Sequence, residues 1–259
     1  MELSIIVYSC WKNRDMWKIF SRLFKKYWSE CPYAVILVTD RFEDEGESYA
    51  FSKVVEINDT WARMIKKAIR LAETPYVMLW MDDYLLCDYV CNDDIQKQVE
   101  RAKKFHAANI RLIESPKRSG NYKRHDNIGF YKNGQAYSIS TQVGIWDVQF
   151  LNKLIDDNWS AWDFERIASM SKINFRQPLL VALDYVFPYE EGVRRGKWMV
   201  SGVNLCKRNG IKLDSSTRPI MSNMEMAKIY LGGVILDWNP NFILKVQNLI
   251  YEWRRRKGV

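Results

Sequence analysis

The stretch PYVMLWMDDYLLCDYV, Pro75 to Val90, sets the frame for this chain. An apolar run, Val77 to Met81, ends on two adjacent carboxylates, Asp82 and Asp83, and a second apolar run, Tyr84 to Cys87, comes at once after them. A short run of large apolar residues after a proline reads as a buried strand. The aspartate pair then stands at that strand's carboxyl end. Two like charges between apolar flanks are costly to bury without partners. They either bind a cation, or cap the next segment and pair with nearby Arg and Lys; the pair by itself leaves both open.

Upstream, LSIIVYSC (Leu3 to Cys10), YAVILVTD (Tyr33 to Asp40) and SKVVEIN (Ser52 to Asn58) read as three earlier buried strands. NRDMWKIFSRLFKKYWSE between them switches to helical period, with Trp17, Phe20, Leu23, Phe24 and Tyr27 on one face. DTWARMIKKAIRLAET, Asp59 to Thr74, is a second helix, with Asp59 or Thr60 as N-cap and Pro75 as its stop. Strands that are apolar throughout, alternating with helices, predict an α/β fold with a mostly parallel sheet covered on both faces.

The pattern changes after the helix DDIQKQVERAKKFH. NIRLIES, NIGFYKN, YSISTQVGIWD and PLLVALDYV read as strands of a more mixed sheet, VQFLNKLI and WDFERIASMS as helical patches, and NPNFILKVQNLIYEWRRRKGV as a closing helix. No internal repeat or long linker appears. The economical division is one domain over 1–259: a nucleotide-type front half (1–91), an elaborated back half (92–235) and a basic C-terminal helix (239–259).

The chain has 259 residues, is 47% apolar and carries a formal charge of +8, which favours anionic partners such as nucleotide phosphates. Five cysteines without zinc-site spacing and only two histidines argue against a disulfide framework or a histidine metal centre. The N-terminus lacks the pattern of a signal peptide, and no window approaches the roughly 20 apolar residues that cross a bilayer. The expected location is cytoplasmic.

In open α/β sheets, ligands sit outside the carboxyl ends of the strands. Asp82 and Asp83, Asp40 at the end of the second strand, and Ser9 and Trp11 leaving the first converge on one such rim. Hard carboxylate oxygens there suit Mn²⁺ or Mg²⁺ held with substrate phosphates. Asp40 is placed to bond a nucleotide base or ribose, or to form a turn before Arg41.

At this point MLWMDDYLL resembles the acidic motif of GT-A glycosyltransferases in its adjacent-aspartate form. The resemblance implies a nucleotide-sugar donor, of UDP type, and a divalent cation on its diphosphate. It makes Asp83 the metal ligand, with Asp82 on the ribose or a metal-bound water. STQVGIWDVQFLNKLI followed by WSAWDFE, and the later GVRRGKW (Gly192 to Trp198), resemble bacterial sugar transferases of capsule and O-antigen (lipopolysaccharide) assembly. That implies a growing glycan or lipid-linked glycan as acceptor. Arg194, Arg195 and Lys197 would add positive charge at the donor on a loop hinged at Gly192 and Gly196. If configuration is inverted, the acceptor needs a base. Glu165 is the first choice and Asp163 the second, with Trp159, Trp162 and Phe164 shielding them from water and raising their basicity; both acids could instead complement the helix dipole.

The C-terminal helix carries Phe242, Val246, Leu249, Ile250 and Trp253 along one side, then three arginines and a lysine. It either packs on the core or lies on the anionic inner face of the cell membrane. A sugar-nucleotide nucleotidyltransferase would share the core, but it opens with a Gly-rich loop that VYSCWKNRDMW lacks. A nucleic-acid-binding protein would concentrate its basic residues, which here are spread along the chain.

Overall fold

The computed structural model describes residues 2–44, 46–170, 176–214 and 217–257. In chain order it runs β1 (Leu3–Tyr8), a 3-10 turn (Trp11–Asn13), α1 (Arg14–Tyr27), β2 (Val35–Thr39), β3 (Lys53–Glu56), α2 (Trp61–Ala72), β4 (Tyr76–Met81), β5 (Tyr84–Leu86), α3 (Asn92–Phe105) and β6 (Asn109–Arg111). It continues through β7 (Gly120–Asn121), β8 (Ile128–Tyr131), β9 (Gly144–Asp147), α4 (Val148–Leu154), α5 (Ala161–Asp163) and a π-helical turn (Phe164–Ala168). The last part holds β10 (Leu179–Ala182), β11 (Tyr189–Glu191), β12 (Val193–Arg194), β13 (Lys197–Trp198), α6 (Val200–Arg208), α7 (Asn223–Trp238) and α8 (Pro240–Lys257). Ser171, Gly258 and Val259, at the ends of segments read as helical, lie outside the described residues.

Nine strands form one sheet in the order β3-β2-β1-β4-β9-β6-β10-β8-β7. The four front strands are parallel to one another, and β9 runs antiparallel between β4 and β6. The mostly parallel front and mixed back expected from the sequence are both present. Alternation along β1 explains why it is apolar throughout. Leu3, Ile5 and Val7 join the core under α1, with Met16, Phe20 and Trp80, while Ile6 joins Ile65, Ala68 and Val77 under α2. A strand buried on both faces has no polar side to show in its sequence.

The caps account for the helix starts. Thr60 Oγ1 accepts from Arg63 N at the head of α2, as expected for one of the two cap residues considered. Ser222 and Glu225 form a reciprocal capping box at α7, a helix the apolar pattern does not announce.

The second apolar run after Asp83 does not continue the sheet. It turns into β5, whose Tyr84 pairs with Glu191 of β11, and Gly192 N then donates to Asp83 O at 2.7 Å. This pairing brings residues 189–198 beside the aspartates. Gly192 is not the hinge expected from sequence: a Cβ there would lie 2.7 Å from Leu85 Cδ1. A Cβ on Gly202 of α6 would lie 2.6 Å from Gly192 Cα. Two backbones therefore touch at this crossing. Gly196 does sit in a tight turn, at φ +75°.

The five apolar residues named for the C-terminal segment are all exposed, and Leu244 on the other side of α8 is buried.

A Gly-to-Ala exchange inside a helix ordinarily gains up to about 1 kcal/mol. At Gly202 the clash with backbone that cannot swing away should outweigh this, so Gly202→Ala is expected to destabilise by about 1–3 kcal/mol. Gly232→Ala in α7, where an added Cβ meets nothing within 4 Å, is expected to stabilise by a fraction of that. Urea unfolding of the two variants checks the opposite signs.

Candidate active site

Register builds the rim. Tyr8 of β1 lies opposite both Val38 of β2 and Met81 of β4, so Ser9, Asp40 and Asp82, just beyond these strand ends, come together. Ser9 N donates to Val38 O, and Asp82 N to Tyr8 O. Inside this junction Trp17 Nε1 donates to Ser9 Oγ at 2.6 Å, and Ser9 Oγ donates to Asp82 Oδ2 at 2.5 Å. Ser9 is thus committed to holding Asp82, which is only 2% exposed. Burial pushes the Asp82 carboxyl up to about 7, against the pull of the Ser9 hydrogen bond and the Arg218 charge.

Asp83 differs in its partners. Its backbone carbonyl takes Gly192 N, but its buried Oδ1 has no hydrogen-bond partner. Burial first, and then the charges of Asp82 and Glu191, drive its carboxyl well above the usual carboxylate range; Arg194 pulls the other way. An orphaned buried carboxylate oxygen calls for an explanation. Among the described residues no three His, Cys, Asp or Glu side chains gather into a cage. Mn²⁺ or Mg²⁺ on a nucleotide needs only one or two protein carboxylates, with phosphate and water oxygens completing the shell. The residues present fit that requirement.

Trp11 begins the 3-10 turn after β1, where its N–H donates to Asp40 Oδ1 at 2.6 Å. The guanidinium groups of Arg14 and Arg41 each sit 4.6 Å from its ring centroid. Cation–π contact of this kind holds a half-exposed ring in one orientation. The nearby loop is clamped by Arg218, which sequence reasoning missed. It is 5% exposed, takes both oxygens of Asp15 at 2.7 Å, and also reaches Asn13 Oδ1 and Lys12 O. Lying 203 residues from Asp15 with no motif around it, it left no signal in the sequence.

Glu165 and Asp163 part company. Asp163 Oδ2 accepts from Ser160 N and Ser160 Oγ, which completes the capping box of α5. Glu165 Oε1 instead accepts from Ser140 Oγ at 2.8 Å, Thr141 N at 2.7 Å and Thr141 Oγ1 at 2.8 Å. The loop bearing Ser140 is in turn held by the buried Arg111, whose Nη2 reaches the carbonyls of Tyr137 and Ser138. Phe164 packs on Trp61 and Trp146, whereas Trp162 is exposed. Glu165 lies within electrostatic reach of Tyr84, the residue after Asp83: burial first pushes the Tyr84 phenol far up, and the charges of Asp83, Glu165 and Glu191 add to it.

Two of the three cations of GVRRGKW, Arg194 and Lys197, are engaged by acids. Arg194 makes a two-pronged ion pair with Glu191, which keeps it next to Asp83. Lys197 reaches away to Glu225 of α7, whose carboxyl it draws down to about 2. The structure therefore gathers Ser9, Trp11, Asp40, Asp82, Asp83 and Arg194 at one rim with Glu165 near it. Lys197 and Asp163 have partners elsewhere.

No protein-family model matches the sequence, and no curated protein does either. Among solved structures, a fragment of S. aureus TarS (1–349) in complex with UDP-GlcNAc is similar over 76% of this chain and 60% of that one, at 15% identity and a TM-score of 0.52. A Pyrobaculum calidifontis mannosyltransferase in complex with GDP-Man and Mn²⁺ covers 75% of this chain and 58% of its own at 14% identity and TM-score 0.48. A Leptospira borgpetersenii cytidylyltransferase covers 81% and 95% at 9% identity and TM-score 0.44. The last two are too distant to bear on the site.

The buried pair makes a prediction about pH. An aspartate raised from about 3.9 in the unfolded chain to about 7 contributes stability that is full below pH 4 and is lost as pH rises through 7. In EDTA the protein is therefore expected to lose up to about 4 kcal/mol between pH 4 and pH 8 from Asp82 alone. Asp83→Asn should flatten this slope, because one of two coupled charges is gone, and Mn²⁺ should stabilise the parent more at pH 8 than at pH 5. Urea unfolding across that range, with and without Mn²⁺, is the check. On similarity of structure, the chain shares the α/β fold of that TarS fragment, a mostly parallel sheet flanked by helices.

Proposed function

We propose that this chain is a glycosyltransferase that moves a sugar from a nucleoside-diphosphate sugar, of the UDP type, to a hydroxyl of a glycan or lipid-linked glycan, with inversion of configuration. The observation that carries the reading is the meeting of three features at the carboxyl ends of β1, β2 and β4. These are the Trp11–Asp40 contact, the Asp82–Asp83 pair with its orphaned oxygen, and an anchored carboxylate, Glu165, within electrostatic reach of the residue after that pair. Capsule or O-antigen assembly as the setting rests on the sequence resemblance alone.

Each residue has a stated task. The Trp11 ring, held in one orientation by Arg14 and Arg41, flanks the base. Asp40, bonded to Trp11 N through Oδ1, lies beside base and ribose. Asp83 holds the cation and Asp82, fixed by Ser9, sets the chain path that aims it. Bound Mn²⁺ or Mg²⁺ would neutralise charge developing on the leaving diphosphate. Arg194 lends a second positive charge from beside Asp83; Lys197 could add one only by leaving Glu225. Glu165 takes the acceptor proton. Its three hydrogen bonds all fall on Oε1, which leaves Oε2 as the oxygen to accept that proton.

Glu165→Gln keeps the shape and removes the base. Turnover with the true acceptor is expected to fall by roughly 10²–10⁴-fold, with UDP affinity by titration calorimetry changed less than about threefold, under one kcal/mol. Asp163→Asn should weaken the α5 cap, at about 1 kcal/mol, and leave turnover nearly unchanged. Full activity in Glu165→Gln would end the inverting assignment. UDP affinity should also drop in EDTA and in Asp83→Ala; equal affinity with and without metal would remove the cation from the reading.

A further inference from the structure

Helices α7 and α8 touch the body on one side only. Leu244 is 1% exposed and, with Leu236 and Ile243, packs on Ala136 and Tyr137. Polar contacts fix the same side. Asp237 Oδ1 accepts from Lys117 N, Asn241 Oδ1 accepts from Ala136 N, and the Tyr137 hydroxyl bonds Gln247.

The other side is apolar and open. Met224, Leu231, Val234, Ile235 and Trp238 of α7 fall within about 100° of helix circumference, and all are exposed, Trp238 at 82%. On α8, Phe242, Val246, Leu249 and Ile250 form a second exposed stripe, away from Leu244. Surface helices usually turn polar residues outward. Two consecutive helices doing the reverse expose apolar surface of the kind that marks an interaction site.

Charge identifies what covers it. The sequence of α8 runs from its apolar stripe into Arg254, Arg255, Arg256 and Lys257. Across both helices six Lys and Arg stand against Glu225, Asp237 and Glu252, and Glu225 is engaged by Lys197 while Asp237 accepts from Lys117 N. A second copy of this chain would bring the same cations to the contact, and like charges across an interface repel. An anionic bilayer surface complements both features: apolar and Trp side chains enter the headgroup layer while Lys and Arg meet the lipid phosphates. Among the described residues no helix is long and apolar enough to cross a membrane, so the geometry is that of lying on the surface.

We propose that the α7–α8 pair is an interfacial anchor that docks this protein on an anionic lipid bilayer. The inference rests on exposure and charge, and it stands whether or not the sugar-transfer reading does. The test is co-sedimentation of the full chain with vesicles of phosphatidylcholine alone and of equal parts phosphatidylcholine and phosphatidylglycerol. Binding to the anionic vesicles is expected to be at least about tenfold tighter, and to weaken as salt shortens the Debye length. Leu231→Ser with Val234→Ser and Trp238→Ser should reduce binding to both vesicle types. Arg254→Gln with Arg255→Gln and Arg256→Gln, which touches only the far end of α8, should abolish the anionic preference. Thermal unfolding of both variants guards against misfolding. Failure to bind anionic vesicles at low salt overturns the proposal, and so does binding that neither set of changes alters. Concentration-dependent dimerisation seen by light scattering and lost with the serine changes, without vesicle binding, would assign the face to a second copy instead.

Discussion

Everything around the candidate site depends on one buried hydrogen bond, Ser9 Oγ to Asp82 Oδ2. A carboxylate this far from water is tolerated only with partners in place. Asp82 obtains them from three distant parts of the chain: Ser9 after β1, Trp17 of α1 through Ser9, and the charge of Arg218 near the far end. The consequence is positional. With Asp82 pinned inward at the end of β4, the next residue, Asp83, leads the chain out of the sheet. Of the two aspartates, Asp82 thus organises the rim and Asp83 has an oxygen to spare for a ligand.

The exit from the sheet has its own effect. Because Tyr84–Leu86 pairs with β11 and not with the main sheet, residues 189–198 close against the aspartates, and Gly192 and Gly202 allow backbones to meet at the crossing. Arg194 is delivered beside Asp83 by this ribbon, and Glu191 restrains it there. The positive charge beside Asp83 comes from a packed strand pair, where the sequence had suggested a hinged loop.

The front half was legible because its strands are unbroken apolar blocks and its helices keep a 3.6-residue period; both signals are local. The back half gave way where structure is made by contacts at long range. YSISTQVGIWD contains a strand only at Gly144–Asp147. Its earlier residues form a loop gripped by Arg111 and Glu165, and no alternation in sequence could report a guanidinium bonding two backbone carbonyls. The strands β7 and β11–β13 have two or three residues each, too few for a period. α7 is apolar nearly all round and holds two adjacent glycines, so it lacks the usual stripe, although the Ser222–Glu225 box was readable. The aspartate pair and Glu165 announced themselves by type and neighbours. Arg218, Glu191, Ser140 and Thr141, which fix how those acids can act, did not, because their meaning lies in their partners.

The division between Asp163 and Glu165 shows how local geometry assigns roles to two acids that composition cannot tell apart. Ser160 engages Asp163 at the start of the helix, and capping consumes that carboxylate. The turn then widens into a π-helix over Phe164–Ala168. Widened turns are uncommon and cluster at functional sites, because an inserted residue rotates the side chains after it without ending the helix. Here Phe164 stays buried against Trp61 and Trp146, while Glu165, one residue on, reaches Ser140 and Thr141. A regular α-helix would also hold Phe164 in the core, but the wider turn relaxes the usual 100° step between successive side chains. The aromatic residue supplies the anchoring energy and the π-turn supplies the angle, so that Glu165, held by Ser140 and Thr141, is the acid without a capping duty.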